Sequence, residues 1–265
     1  MRALRTATTG MAAQQMNVEV ISNNIANMNT IGFKKQRAEF QDLMYQNVER
    51  MGAQSSDSGT VVPTGIQVGS GVKTGSVYRI MEDGSATLTS NDYDVMIQGK
   101  GYFQVELPSG ETAYTRAGNF SLDDQGRLVT TEGYLVQPSI TIPQGTTGVT
   151  ISKSGEVQVV TAGSGATAPT VVGQLQLATF ANPAGLDAQG DNLFLESGAS
   201  GAPNVSTPGD TGYGTLLQGY TESSNVDAVS EITALIVAQR AYEMNSKVIT
   251  TADEMLQTTS QLARA

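Results

Sequence analysis

The chain has 265 residues, with 29 Gly and 8 Pro, 15 Lys and Arg against 25 Asp and Glu, and no Cys, His or Trp. Without an imidazole or a thiolate there is no Ser-His triad, no Cys nucleophile and no ordinary structural zinc site, which removes most familiar enzyme chemistry. Hydrophobic residues make up 39 %, below the roughly 45–50 % of an average globular protein, so a core is expected but a thin one.

From the N-terminus, the first ten residues lack the apolar stretch of a cleaved secretory signal, and no run anywhere approaches the roughly 18 apolar residues of a membrane span. A soluble protein is expected, leaving the cytoplasm, if it does, by another route. All eight prolines lie between Pro63 and Pro208, and Gly is sparse before residue 52 and absent after Gly219. Helix breakers are thus confined to the middle, and the order predicted is helix, long β-rich middle, helix. At the start, Leu4, Met11, Val18 and Ile25 recur every seven residues, and Ala7, Gln14, Ile21 and Met28 form a second row offset by three. Together they predict a narrow helical seam of coiled-coil type. Residues 1–37 hold five bases and one acid, net +4, against −12 over 38–225 and −2 over 226–265. The basic start is expected to face an acidic neighbour or solvent, and so acidic a body argues against nucleic acid as a partner.

Next comes Ser22-Asn23-Asn24-Ile25-Ala26-Asn27-Met28-Asn29-Thr30-Ile31-Gly32-Phe33-Lys34-Lys35. Asn is a poor helix-interior residue, so its density here predicts a helix terminus with Gly32 in a left-handed turn. Phe40, Leu43 and Met44 are read as helix-face residues. Asp83-Gly84, Pro108-Ser109-Gly110, Asp124-Gln125-Gly126 and Lys153-Ser154-Gly155 are turn signals at hairpin spacing, and Val149, Ile151, Val157 and Val159 alternate around the last of them. They predict an antiparallel β domain. Residues 55–75 and 197–214 read as extended connections into and out of it. Gly69-Ser70-Gly71 and Gly99-Lys100-Gly101 do not continue to a phosphate-binding pattern and are read as turn or close-packing glycines. Asn91-Asp92-Tyr93-Asp94 and Asp123-Asp124 lack the spacing of a calcium loop and are read as solvated turns. With 25 acids a carboxylate pair for glycan hydrolysis is always conceivable, and a glycan hydrolase is the alternative of another class, though no pair is singled out. At the C-terminal end Ser224 or Asn225 is placed to cap a helix in which Leu235, Tyr242, Ile249 and Leu256 recur at seven, with Ala238, Asn245, Ala252 and Thr259 between. The fold class expected is α+β, a discontinuous domain of paired N- and C-terminal coiled-coil-like helices plus a central antiparallel β-rich domain.

The segment from Ser22 to Lys34, with Ser22, Asn23, Asn24, Asn27, Gly32 and Phe33 as its marks, resembles the signature of the bacterial flagellar basal-body rod and hook axial protein family. Ser224-Asn225-Val226 and the run Gln239, Arg240, Ala241, Tyr242, Glu243, Met244, Asn245 resemble its C-terminal end, and Ile97 to Phe103 and Tyr114 to Phe120 resemble its β-domain motifs. Among members the chain is most similar to distal rod subunits, which carry an extra extended stretch where residues 46–63 lie here. The resemblance implies an inner helical domain of residues 1–35 and 226–265, a connecting region of 36–95 and 205–225, and an outer β-rich domain of 96–204. It implies a structural role without enzyme activity or cofactor: a helical tube that transmits motor torque across the periplasm to the hook, with a hook or proximal rod subunit as the sibling alternative. Leu4, Met11, Val18, Ile21, Ile25, Leu235, Tyr242, Ile249 and Leu256 would form its helical assembly seam. Implied partners are further copies of itself, proximal rod subunits, hook subunits, the L- and P-ring proteins and, during secretion without signal cleavage, the type III export apparatus. No membrane insertion is implied. Phe40 and Met44 resemble the family's export-gate motif.

Overall fold

A computed structural model describes residues 2–49, 51, 64–161 and 169–262. Among the described residues two α-helices, α1 over Arg2–Ala26 and α2 over Ala228–Leu262, flank twenty short strands, giving the α+β class with a central antiparallel β-rich region. The contacts divide the chain into two compact units, one of residues 1–25, 36–78 and 227–265, the other of residues 26–35 and 79–226.

In the first unit α1 and α2 run antiparallel where they touch. Gly10 lies against Asn245, so close that a Cβ on Gly10 would stand 3.0 Å from the Asn245 carboxamide nitrogen, and Asn24 near the other end of α1 donates to Glu231 at 3.1 Å. Several helix threonines are satisfied within their own helix: the hydroxyls of Thr8, Thr233 and Thr251 each donate to the carbonyl four residues back, at 2.8, 2.8 and 2.9 Å, so they demand no partner from a neighbour. The N-terminal turn of α2 is closed by Asp227, whose carboxylate accepts from the Val229 amide at 3.3 Å. That corrects the expected cap at Ser224 or Asn225, because the Asn225 carboxamide is taken up elsewhere. Gln36–Asp42 pairs with Val72–Arg79, and Tyr45–Glu49 with Ile66–Gly69. Phe40 therefore sits in a strand and Met44 just after it, not on a helix face. The reason is local: the Asn24 side chain closes a two-bond ring on the Gln36 backbone, donating to its carbonyl at 2.9 Å and accepting from its amide at 2.8 Å. An extended start is thereby fixed for the next strand.

The second unit holds the main core. Its largest sheet runs in the order Asp187–Gly190, Leu193–Leu195, Thr112–Thr115, Phe103–Glu106, Leu135–Gln137, Leu128–Val129, Ser121–Leu122, and a separate sheet joins Thr146–Ile151, Glu156–Thr161 and Thr170–Gln174. All the ladders of this unit are antiparallel. The alternation read from sequence is the register found, with Val149 opposite Val159 and Ile151 opposite Val157, and the turns at residues 108–110 and 124–126 also join paired strands. Asp83-Gly84 does not. The strand before it, Val72–Arg79, pairs with Gln36–Asp42, and the strand after it, Ala86–Leu88, pairs with Tyr220–Glu222. Phe103 and Phe120 meet edge to face at 5.0 Å in the core centre among Val95, Ile97, Val157 and Leu177.

Candidate functional site: a buried ion cluster and two helix faces

The flagged segments converge on one cluster in the second unit. Gly32 takes φ +71°, and a Cβ there would come within 2.9 Å of the Ala117 amide nitrogen. Only glycine passes that point comfortably. The turn delivers Lys34 inward. Its Nζ is 2.5 Å from Glu222 Oε1 and donates to the Glu82 carbonyl at 2.6 Å. Arg116, at the end of strand Thr112–Thr115, donates through Nε to Glu222 Oε2 at 2.9 Å and through Nη2 to Asp83 Oδ1 at 2.7 Å. Its Nη1 is held by the carbonyls of Gly99 and Gly101 at 2.7 and 2.9 Å, which gives the Gly99-Lys100-Gly101 segment its work: presenting backbone oxygens to a cation. Glu222 also accepts from the Gly84 amide at 2.9 Å.

Lys34, Arg116 and Glu222 are 3 %, 4 % and 1 % exposed. Burial, reinforced by the Arg116 cation, pushes the Lys34 amine below its ordinary value against the pull of Glu222. Burial would by itself raise the Glu222 carboxyl, but Arg116 and Lys34 outweigh it and hold that carboxyl below its ordinary range. Both groups are lowered: burial and Arg116 work against the charged amine, whereas the two cations favour the charged carboxylate they share, and Asp83 supplies the second anion. Two charges of each sign, bonded at each end, is the arrangement that tolerates burial. Lys34 is thus no part of a solvated basic start. Sequence reading did not single out Lys34, Asp83, Arg116 and Glu222 as a set; the available signal was an Arg directly after a strand built of Thr, Ala and Tyr, in an acidic region.

The remaining motif residues serve as joints. Asn225 accepts from the Lys35 amide at 2.7 Å and donates to the Ile80 carbonyl at 2.9 Å. Thr30 donates to Asn27 at 3.1 Å. Asn27 also borders a 480 Å³ cleft walled by carboxamides, hydroxyls and the acids Glu132 and Asp191. Ser22 and Asn23 are exposed and Phe33 is half-buried. Asp123, read as a solvated turn, accepts from the Gln125 and Arg127 amides at 2.9 and 2.8 Å and from Arg127 Nε at 2.7 Å. Among the described residues no group of His, Cys, Asp and Glu is placed to hold a metal, and no helix is long and apolar enough to cross a membrane.

On α1, Ile21 is buried while Leu4, Met11, Val18 and Ile25 are half-buried, and Ala7, Ala13 and Val20 are buried with Ile21. On α2, Leu235, Ala241, Asn245 and Ile249 are half-buried, whereas Gln239, Arg240, Tyr242 and Leu256 are exposed, and Ala238 is the one residue of that helix buried among those described. Val18 and Tyr242 face each other across a 340 Å³ gap with Gln15, Glu19, Gln239 and Glu243.

Three family profiles match along the chain: "Flagella basal body rod protein" over residues 4–34, "Flagellar hook protein FlgE/F/G D1 domain" over 96–159, and "Flagellar basal body rod FlgEFG protein C-terminal" over 217–262. The flagellar basal-body rod protein FlgG of Caulobacter vibrioides is 70 % identical over 262 residues, 99 % of each chain. The chain belongs to the flagellar basal-body rod protein family. Agreement extends to the FlgG rod protein of Agrobacterium fabrum, 54 % identical over 96 % of this chain and 97 % of that one. The hook-basal body complex protein FlhP of Bacillus subtilis is 30 % identical over 97 % of each. The family is structural and not enzymatic, and the ion cluster draws one member from each of the three profiled regions: Lys34 ends the first, Arg116 is in the second and Glu222 lies near the start of the third, while Asp83 falls between the first two.

Proposed function

We propose that this chain is the repeating subunit of the flagellar distal rod, a helical tube of many copies that carries torque across the periplasm to the hook. The observation that carries the reading is the outward surface of α2. Val237, Met244, Val248, Met255 and Leu262 are all exposed, at spacings of seven, four, seven and seven residues, and Val229, Ile232 and Ile236 add a second exposed apolar row. The 35-residue helix carries only six charged side chains. A helix apolar on several sides belongs inside an assembly with helical neighbours on each of them. Contacts of this head-to-tail kind do not close on themselves and generate a tube.

In that tube α1 and α2 of one subunit pair as a coiled-coil-like unit through the seam of Leu4, Met11, Val18, Ile21, Ile25, Leu235, Tyr242, Ile249 and Leu256. The exposed rows of α2 meet further copies. Proximal rod subunits lie below, hook subunits above, and the L- and P-ring proteins surround the shaft. The subunit reaches its place through the type III export apparatus without signal cleavage. Phe40 and Met44, both exposed, are available to the export gate in the folded chain as well as the unfolded one. Of the distal-rod stretch 46–63, residues 46–49 lie in the strand Tyr45–Glu49, and residues 50 and 52–63 lie outside the described residues.

Concentrated protein is expected to form tubes or sheets visible by electron microscopy. The double variant Met244→Asp, Met255→Asp is expected to stay helical by circular dichroism yet remain monomeric in sedimentation. Unchanged polymer from that variant, or no polymer from the native chain under any condition, would overturn the reading.

A further inference from the structure

The β-rich unit gathers its last components from a stretch far along the chain. Strand Thr215–Gln218 supplies the ladder partner of Val95–Gln98, with Leu216 opposite Ile97, and strand Tyr220–Glu222 supplies that of Ala86–Leu88. Leu216 enters the main core at 2 % exposure, and its amide donates to the Lys153 carbonyl at 3.1 Å. The Gln218 side chain spans three separate backbone groups: it accepts from the Ile151 amide at 2.9 Å and donates to the carbonyls of Val149 at 2.9 Å and Asp92 at 2.8 Å. Gly214 donates to Lys100 at 2.7 Å, Gly219 to Asp94 at 2.8 Å and Ser223 to Ser85 at 2.9 Å. Glu222 is the anion shared by the two buried cations.

Without residues 213–225 the same unit would hold two strands without their ladder partners, a core lacking Leu216, and two buried cations answered by one half-exposed carboxylate, Asp83, and by carbonyls. Each of these deficits is costly in a low-dielectric interior, and together they fall on one body. We propose that residues 213–225 are a closing strap whose docking is a condition for folding of the whole β-rich unit. A chain supplied from its N-terminus then stays unfolded until everything except residues 226–265 is available. The use of such a delay, keeping an exported chain threadable, rests on the export reading above. The folding claim itself does not, and the test addresses that claim alone.

The test is native-state hydrogen exchange on the full-length chain, kept dilute enough to remain monomeric. If the strap and core are one cooperative body, amides of Leu216 and Ser223 exchange with the same opening equilibrium as those of Val105 and Val157, which lie in the middle of the two main sheets. Gln218→Ala, which removes three bonds made by the strap and leaves the core side chains in place, is expected to lower protection at Val105 and Val157 by the same factor as at Leu216. Two results would overturn the proposal. One is exchange at residues 213–225 about tenfold or more faster than at Val105 and Val157 in the native chain, the mark of a separately opening segment. The other is a loss of protection in Gln218→Ala confined to the strap.

Discussion

Glu222 is the residue on which the electrostatics of the β-rich unit turns, because its two oxygens answer Lys34 and Arg116 together. Glu222→Gln keeps the shape and removes the charge, leaving two buried cations to one partly exposed Asp83. Breaking a buried pair costs about 3 kcal/mol or more, to be read as a lowered urea midpoint with an unchanged slope. The pH dependence follows from the direction of the shift. A carboxyl held below its ordinary value of 4.5 in the folded chain contributes stability that is fully present above that value and is lost as pH falls through the lowered one. Native protein should therefore lose stability in that acid window, and Glu222→Gln should lack that part of the loss; parallel acid curves for the two would refute the assignment. Lys34, lowered from 10.5, acts with the other sign: the cost of holding it charged is relieved as pH rises through its folded value. The density of Asn between residues 22 and 29 finds its reason at this scale too. Asn24 substitutes for a strand neighbour by bonding both backbone groups of Gln36, a task for a side chain with a donor and an acceptor at its tip.

At the level of elements, local signals were readable and distant ones were not. The two helices, the left-handed turn at Gly32 and the hairpins at residues 108–110, 124–126 and 153–155 each depend on a few adjacent residues, and those residues announce them. Asp83-Gly84 has the same local chemistry as a hairpin turn, yet its flanking strands are claimed by residues 36–42 and 220–222, which no window of sequence around it contains. The cap of α2 moved to Asp227 for a similar reason, since Asn225 is committed to backbone groups at Lys35 and Ile80. The ion cluster was illegible because its four members come from residues 34, 83, 116 and 222 and meet only once the strands are paired. Helix α2 gives the prediction proper to this scale. Ile249 lies well inside it, so Ile249→Pro removes one ladder hydrogen bond and clashes with the carbonyl of Asn245, at a cost of about 3 kcal/mol. Helical circular dichroism should fall and polymer should fail to form, while the thermal transition of the β-rich unit stays where it was. A shift of that transition would mean that α2 and the β-rich unit unfold together.

For the whole molecule the division of labour is between a unit with its own core and helices whose apolar surface exceeds what the described residues cover. The second unit ends at Val226, just after the strap and Glu222, and contains the main hydrophobic cluster and every member of the ion cluster. The helices have little comparable: a few small or β-branched residues buried on α1 and Ala238 on α2. In the proposed tube the exposed α2 side chains would be buried by other copies, and at about 25 cal/mol per Å² of apolar surface that burial would be the main free energy driving assembly. Deleting residues 227–265 should accordingly leave a chain whose β-rich unit melts cooperatively near the native temperature but which forms no tube at any concentration. Differential scanning calorimetry with sedimentation velocity on the same sample reads both outcomes. Tubes from the truncated chain would move the assembly surface off the helices, and loss of the cooperative transition would mean that the β-rich unit, despite its core and its charge cluster, does not stand without them.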